Sequence, residues 1–151
     1  MRIALFSLLA MALLLATACN KDNQAAKDLD GTWRLDSWSY AGNDTIPAGE
    51  AANVESFWVF AKCKNSATNC DGHQNGFLGG IADENFSWFF SNKGGTFDMG
   101  GGAFTTASSM NQVSGSWTVS TLDDDSFVIT TSSCGSCATL GASTLTFTRI
   151  D

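Results

Sequence analysis

The sequence predicts an all-β domain, an antiparallel up-and-down meander of about eight strands closed into a barrel. Three observations carry that expectation. Strand-like stretches separated by turn signals recur from Leu29 to the end of the chain. No stretch after residue 20 repeats apolar residues at i, i+3, i+4 and i+7, as an amphipathic helix would. Charged residues make up only 15% of the 151, while Ser, Thr, Asn and Gly abound, a surface suited to an extracellular β-protein. Short links between sequential strands give a meander, and closing it removes the exposed edges.

The chain opens with Met1-Arg2 and an apolar run from Ile3 to Ala16 broken by Ser7. That run is too short for an ordinary membrane-spanning helix and has the shape of a signal peptide, expected over residues 1–18. Residues 19–28 are polar without an apolar period and are read as a flexible tether. The folded domain is expected over residues 29–151.

Its first strand is Leu29 to Tyr40. Asp30-Gly31 gives a tight entry, after which Trp33 and Leu35 share one face and Arg34 and Asp36 the other. Trp38 and Tyr40 have the opposite parity. Either both faces are covered over the second half, or a bulge near Ser37 turns them inward, the reading favoured because bulges bend strands around barrels. A long connection through Asn43-Asp44 and Ile46-Pro47 follows.

Val54 to Lys64 is apolar on both parities and is expected to be covered on both faces. Asn65 to Gly76 reads as a polar, turn-rich loop marked by Asp71-Gly72 and Asn75-Gly76. Phe77 to Ala82 is a short strand or a loop on the barrel mouth. Phe86, Trp88 and Phe90 give a strand with an aromatic inner face, and Lys93-Gly94-Gly95-Thr96 turns it into Phe97 to Met99 as a hairpin. After Gly100-Gly101-Gly102, strands are expected at Ala103 to Ala107, Val113 to Ser120, Ser126 to Thr131 and Ser143 to Ile150. Asp123-Asp124-Asp125 is the turn before the last two. Gly115-Ser116-Trp117 echoes Gly31-Thr32-Trp33.

Charge and cysteines narrow the partners. Removing Arg2 with the leader leaves seven Lys plus Arg against 15 Asp plus Glu, a formal charge of −8. An acidic surface without a basic cluster argues against nucleic acid and anionic lipid. With Cys19 set aside, Cys63, Cys70, Cys134 and Cys137 are an even set, read as disulfides of an oxidising compartment. Of the three possible connectivities, the two local bridges Cys63–Cys70 and Cys134–Cys137 are favoured.

Ala16-Thr17-Ala18-Cys19 resembles a bacterial lipobox, with Ala where the first position more often holds Leu. The resemblance implies cleavage before Cys19, acylation of that residue and stable anchoring by two or more chains. Asn20 after the cysteine favours the outer membrane, facing the periplasm or displayed at the cell surface, and Lys21-Asp22 resembles the charged surface tag of Bacteroidota lipoproteins. The Gly31-Thr32-Trp33 unit, with Arg149 near the end of the last strand, resembles the lipocalin signature. There the Trp closes the barrel base and stacks on an Arg, which implies barrel-closing roles for Gly31, Trp33 and Arg149. Together these features resemble the lipocalin-like lipoproteins of Bacteroidota.

No catalytic constellation survives inspection. His73 is the only histidine, so neither a Ser-His-Asp triad nor a multi-His metal site assembles in one chain. It is placed in a solvated turn. Cys134-Gly135-Ser136-Cys137 lacks the following helix that lowers a redox thiol's pKa. Asp123-Asp124-Asp125 reads as a solvated turn rather than a calcium site. No cofactor or metal is expected, and the chain is expected to be a monomer without enzymatic activity.

The remaining candidate is the aromatic set Trp38, Trp58, Phe86, Trp88, Phe90 and Phe97. These residues either fill the barrel or line a cavity for one small hydrophobic ligand. The leading expectation is thus a lipid-anchored binder or carrier. The alternative is a solid barrel that contacts an envelope or host protein through its loops.

Overall fold

The computed structural model describes residues 21–41, 43–44, 55–63, 69–76, 83–100, 109–134 and 141–151. The expected leader, Cys19, the segment 77–82, the strand expected at 103–107 and Cys137 lie outside the described residues.

A helix, α1, covers residues 21–29. The strands are β1 (Gly31–Tyr40), β2 (Asn43–Asp44), β3 (Phe57–Phe60), β4 (Cys70–Asn75), β5 (Glu84–Ser91), β6 (Thr96–Gly100), β7 (Gly115–Leu122), β8 (Ser126–Thr131) and β9 (Ser143–Arg149), with a 3-10 turn at Ser109–Gln112. From β3 to β9 each strand pairs antiparallel with the next, and β1 pairs with both β3 and β9. The result is the expected closed eight-stranded barrel in sequence order, with β2 as a short addition beside the far end of β1. The end where β1 starts and β9 finishes is called the lower end.

β1 carries the bulge. Leu35 faces Phe147 but Ser37 faces Thr146, so Asp36 is the extra residue, and Trp33, Leu35 and Trp38 are all buried. On the outer surface the Asp36 carboxylate accepts from Arg34 Nε at 2.7 Å and from the Thr148 hydroxyl. These two bonds hold the extra residue in place.

The lower end is shut by a clamp. The Arg149 guanidinium lies 4.3 Å from the centroid of the Trp33 ring. It donates from Nε to the Asp124 carbonyl at 2.8 Å, from Nη1 to the Asp30 carbonyl at 2.7 Å, and from Nη2 to the Asp28 carbonyl. Gly31 has φ +141°, and a Cβ there would stand 2.6 Å from Arg149 Nη1, so the close approach requires glycine. Asp151 accepts from the Thr32 amide at 2.7 Å, and that bond, with Arg149 nearby, holds its carboxyl below the usual aspartate range.

Of the tether expected at residues 19–28, the described part, residues 21–28, is instead helical. Ala25, Ala26 and Leu29 are buried in the core, and Asp22 Oδ1 accepts from the Gly94 amide at 2.5 Å. The helix therefore crosses the lower end from β1 to the β5–β6 turn. Its inner face is Asp22, Ala25, Ala26 and Leu29, a helical spacing hidden by weakly apolar alanines and by a carboxylate bonded to the β5–β6 turn.

The Gly-x-Trp echo recurs as a device at the upper end. Trp33 Nε1 donates to the carbonyl of Leu29 and Trp117 Nε1 to that of Val113, each four residues earlier and each at 2.9 Å. Gly31 and Gly115 share an unusual backbone angle, φ +141° and +138°. Met110, in the 3-10 turn, and Val113, just after it, are buried at the upper end much as Leu29 is at the lower.

Two strand expectations need correction. Residues 70–75 are not part of a loop but form β4, so His73 sits mid-strand opposite Val59 and Asn85. The inward positions of β4 are Cys70, Gly72 and Gln74, which carry no apolar alternation, and neighbouring strands supply the core there. A Cβ on Gly72 would stand 2.4 Å from Phe86 Cζ, so the missing side chain is the space in which the Phe86 ring lies. The stretch 54–64 yields only four strand residues in β3, with Trp58 and Phe60 buried and Phe57 and Val59 half-buried rather than fully covered.

Candidate functional site

The barrel interior divides into an aromatic lower part and a partly polar upper part. In the lower part Phe60 is central. Its ring centroid lies 5.7 to 6.3 Å from those of Trp58, Phe86, Trp88, Phe97, Phe127 and Phe147. Phe97 and Phe127 meet edge-on at 5.3 Å, and Phe127 stacks on Phe147 at 5.6 Å. Edge-to-face and offset geometries are those the ring quadrupoles favour, and they fill space as a packed core does.

Five of the six residues expected to bind ligand belong to this packing. Trp58 lies 5.3 Å from Phe86, Trp88 is 6.0 Å from both Phe90 and Phe97, and Phe90 is 5.3 Å from Phe97. All five are buried. Trp38 stands apart, higher in the barrel, 5.8 Å from Tyr40. Trp88 and Phe90 therefore have aromatic neighbours on the side where a cavity was expected.

The upper interior carries buried polar side chains that the sequence did not single out. Gln74, at 1% exposure, points inward from β4 and donates from Nε2 to Glu84 Oε2 at 2.8 Å. Ser56, just before β3, accepts from Trp58 Nε1 at 3.0 Å. Ser143, at the start of β9, accepts from Trp38 Nε1 at 3.5 Å and lies 4.0 Å from Cys134 Sγ. These residues come from β5, β4, β3, β1 and β9, which are consecutive around the wall. Aromatic rings form the floor beneath them. Burying amides and hydroxyls is costly unless they are bonded, and every buried side-chain nitrogen and oxygen among the described residues has a partner. The upper wall thus carries an amide, two hydroxyls, a carboxylate and an indole N–H, held in three local hydrogen-bonded pairs. The available signal for Gln74 was its parity, once β4 is recognised as a strand.

Other candidates have local explanations. Asp123 Oδ1 accepts from the amides of Asp125 at 3.0 Å and Ser126 at 2.8 Å, so it builds the β7–β8 turn. Cys63 and Cys70 are joined by a disulfide with Cα atoms 5.2 Å apart, linking the lower ends of β3 and β4. Cys134 is also disulfide-bonded. Among the described residues no group of three or more His, Cys, Asp or Glu side chains converges as metal ligands would. On the outer face, Asn69, Phe89, Asp98 and Ser116 border a shallow cleft of about 260 Å³ floored by Gly100 and Gly115. Asp98 there accepts from the hydroxyls of Ser91, at 3.0 Å, and Ser116.

No protein-family model matches the chain, and no curated protein matches it.

Proposed function

We propose that this chain is a lipid-anchored, non-enzymatic envelope lipoprotein of lipocalin-like build, acylated at Cys19 and held at the outer membrane. In this reading its barrel binds one small hydrophobic ligand at the upper end. The apolar body of the ligand rests on the aromatic floor near Trp38 and Trp58, and a hydrogen-bonding end meets Ser56, Gln74, Glu84 or Ser143. The observation that carries the reading is Gln74, a buried amide facing inward in a barrel lined mostly by aromatic and aliphatic side chains. A core needs no such group for packing, whereas a binding site uses a few placed polar groups for orientation.

The test is native mass spectrometry of the protein extracted from its own membranes, non-reduced. A bound small molecule that is lost in Gln74→Leu supports the ligand reading. The packed rings around Phe60 favour a second reading, a solid barrel that contacts an envelope protein through the segments at its upper end. Absence of any adduct, with cross-links from the upper end to another protein, replaces the first reading with the second.

A further inference from the structure

We infer that the lower end of the barrel rests on the lipid surface and the upper end faces away from it, so a ligand enters from the aqueous side. The inference depends on the proposed acylation of Cys19, and it is set by α1. Two backbone steps separate Cys19 from Lys21, at most about 7 Å of chain. From Lys21 onward the chain is not a tether: Asp22 is bonded to the Gly94 amide at 2.5 Å, and Ala25, Ala26 and Leu29 are buried on the barrel. The Lys21 carbonyl lies 3.6 Å from the Cβ position of Gly94, so the helix begins against the turn that also carries Lys93. The acyl chains therefore emerge beside the lower rim. The upper rim stands roughly 25 Å further out, the rise of the 10-residue β1 tilted as barrel strands are.

The distribution of cations agrees with this polarity. All four lysines among the described residues, Lys21, Lys27, Lys62 and Lys93, are exposed at the lower end. There they stand among carboxylates that include Asp28, Asp30, the exposed Asp123-Asp124-Asp125 turn and Asp151, a face of both signs that zwitterionic headgroups accept. Ile150, 47% exposed, adds an apolar contact at the same end. At the upper end the described charged residues, Asp44, Glu55, Asp83 and Glu84, are all acidic. The sequences joining strands there, residues 45–54, 77–82, 101–108 and 135–140, contain no Lys or Arg. What separates the ends is the cations: the upper end offers an anionic bilayer none to attract it, whereas the lower end offers four lysines.

The experiment labels the full acylated protein in vesicles of phosphatidylethanolamine and phosphatidylglycerol. An amine-reactive reagent reads the lysines, carbodiimide coupling reads the carboxylates, and peptide mass spectrometry locates both. The expected result is loss of labelling at Lys21, Lys27 and Lys93 with Glu55 and Asp83 fully reactive. A variant with about 20 Gly/Ser residues inserted between Asn20 and Lys21, spanning roughly 25 Å, should regain lysine labelling. Equal labelling at both ends in the parent protein, or protection of Glu55 and Asp83, overturns the orientation. The mass of the N-terminal peptide reports acylation separately, and an unmodified Cys19 overturns the anchor and the orientation with it.

Discussion

Replacing Trp33 with alanine tests the lower-end clamp most directly. The side chain is fully buried, donates to the Leu29 carbonyl at 2.9 Å, supports Arg149 at 4.3 Å and meets the Phe127 ring edge-on at 6.1 Å. Truncating a buried aromatic to Ala costs about 3–5 kcal/mol in lost burial and cavity. The Leu29 carbonyl then lacks its donor, worth about 1 kcal/mol. The guanidinium loses its ring, worth about 0.5–1 kcal/mol at a half-exposed site. The expected loss is about 5 kcal/mol, comparable with the whole stability of a small domain. Trp33→Phe keeps a ring but not the N–H, and should cost about 1–2 kcal/mol. Urea unfolding of the non-reduced protein, followed by far-ultraviolet circular dichroism, measures both. A loss below about 1 kcal/mol for Trp33→Ala would refute the clamp, because no buried indole with these contacts can be removed so cheaply.

Three further outcomes follow from contacts described above. Gly72→Ala places a methyl 2.4 Å from Phe86 Cζ and should lower stability by about 1–3 kcal/mol, with Phe86→Leu in the same chain restoring part of it, as read from denaturant midpoints. Replacing Cys63 and Cys70 by serine opens a bridge of sequence separation 7 and should cost about 2.5 kcal/mol by loop-closure entropy, measured by the same unfolding. The Asp151 carboxyl titrates below its ordinary value of 3.8 in the folded chain, mainly through the Thr32 amide. Its contribution is thus fully present above that value and is lost as pH falls below it. Asp151→Asn should therefore flatten the decline in unfolding midpoint between about pH 4 and pH 2, and an unchanged decline would count against the bond.

What could be read from the sequence depended on where each strand's core residues come from. β5 and β7 to β9 carry their own inward residues, such as Phe86-Ser87-Trp88 and Leu145-Thr146-Phe147, so alternation located them. β4 carries almost none, because Gly72 yields its space to Phe86 from the next strand, and no local pattern can reveal a core supplied by a neighbour. α1 was hidden for a related reason: its buried face is mostly alanine, and the barrel end supplies the apolar surface that makes alanine enough. The bulge near Ser37 was legible because Trp33 and Trp38 have opposite parity and both had to be buried. The aromatic set was legible as apolar, but its division into packed floor and upper wall was not. That division depends on Gln74, Ser56 and Ser143, which are ordinary polar letters until their strands are placed.

The pairing of β1 with β9 also sets the order in which the molecule can be finished. Arg149 bonds the Asp30 carbonyl across 119 positions of the chain. Closing so long a loop costs about 4 kcal/mol in chain entropy before any contact repays it. Until β9 docks, β1 and β8 are both free edges, each able to pair with a strand of another molecule. Such long-range closure is slow relative to hairpin formation, so the neighbouring β5–β6 and β7–β8 hairpins form early and wait. The interval before closure is the time in which an unfinished chain is open to misassembly, and a variant that weakens only the last strand would lengthen that interval while leaving the early hairpins intact.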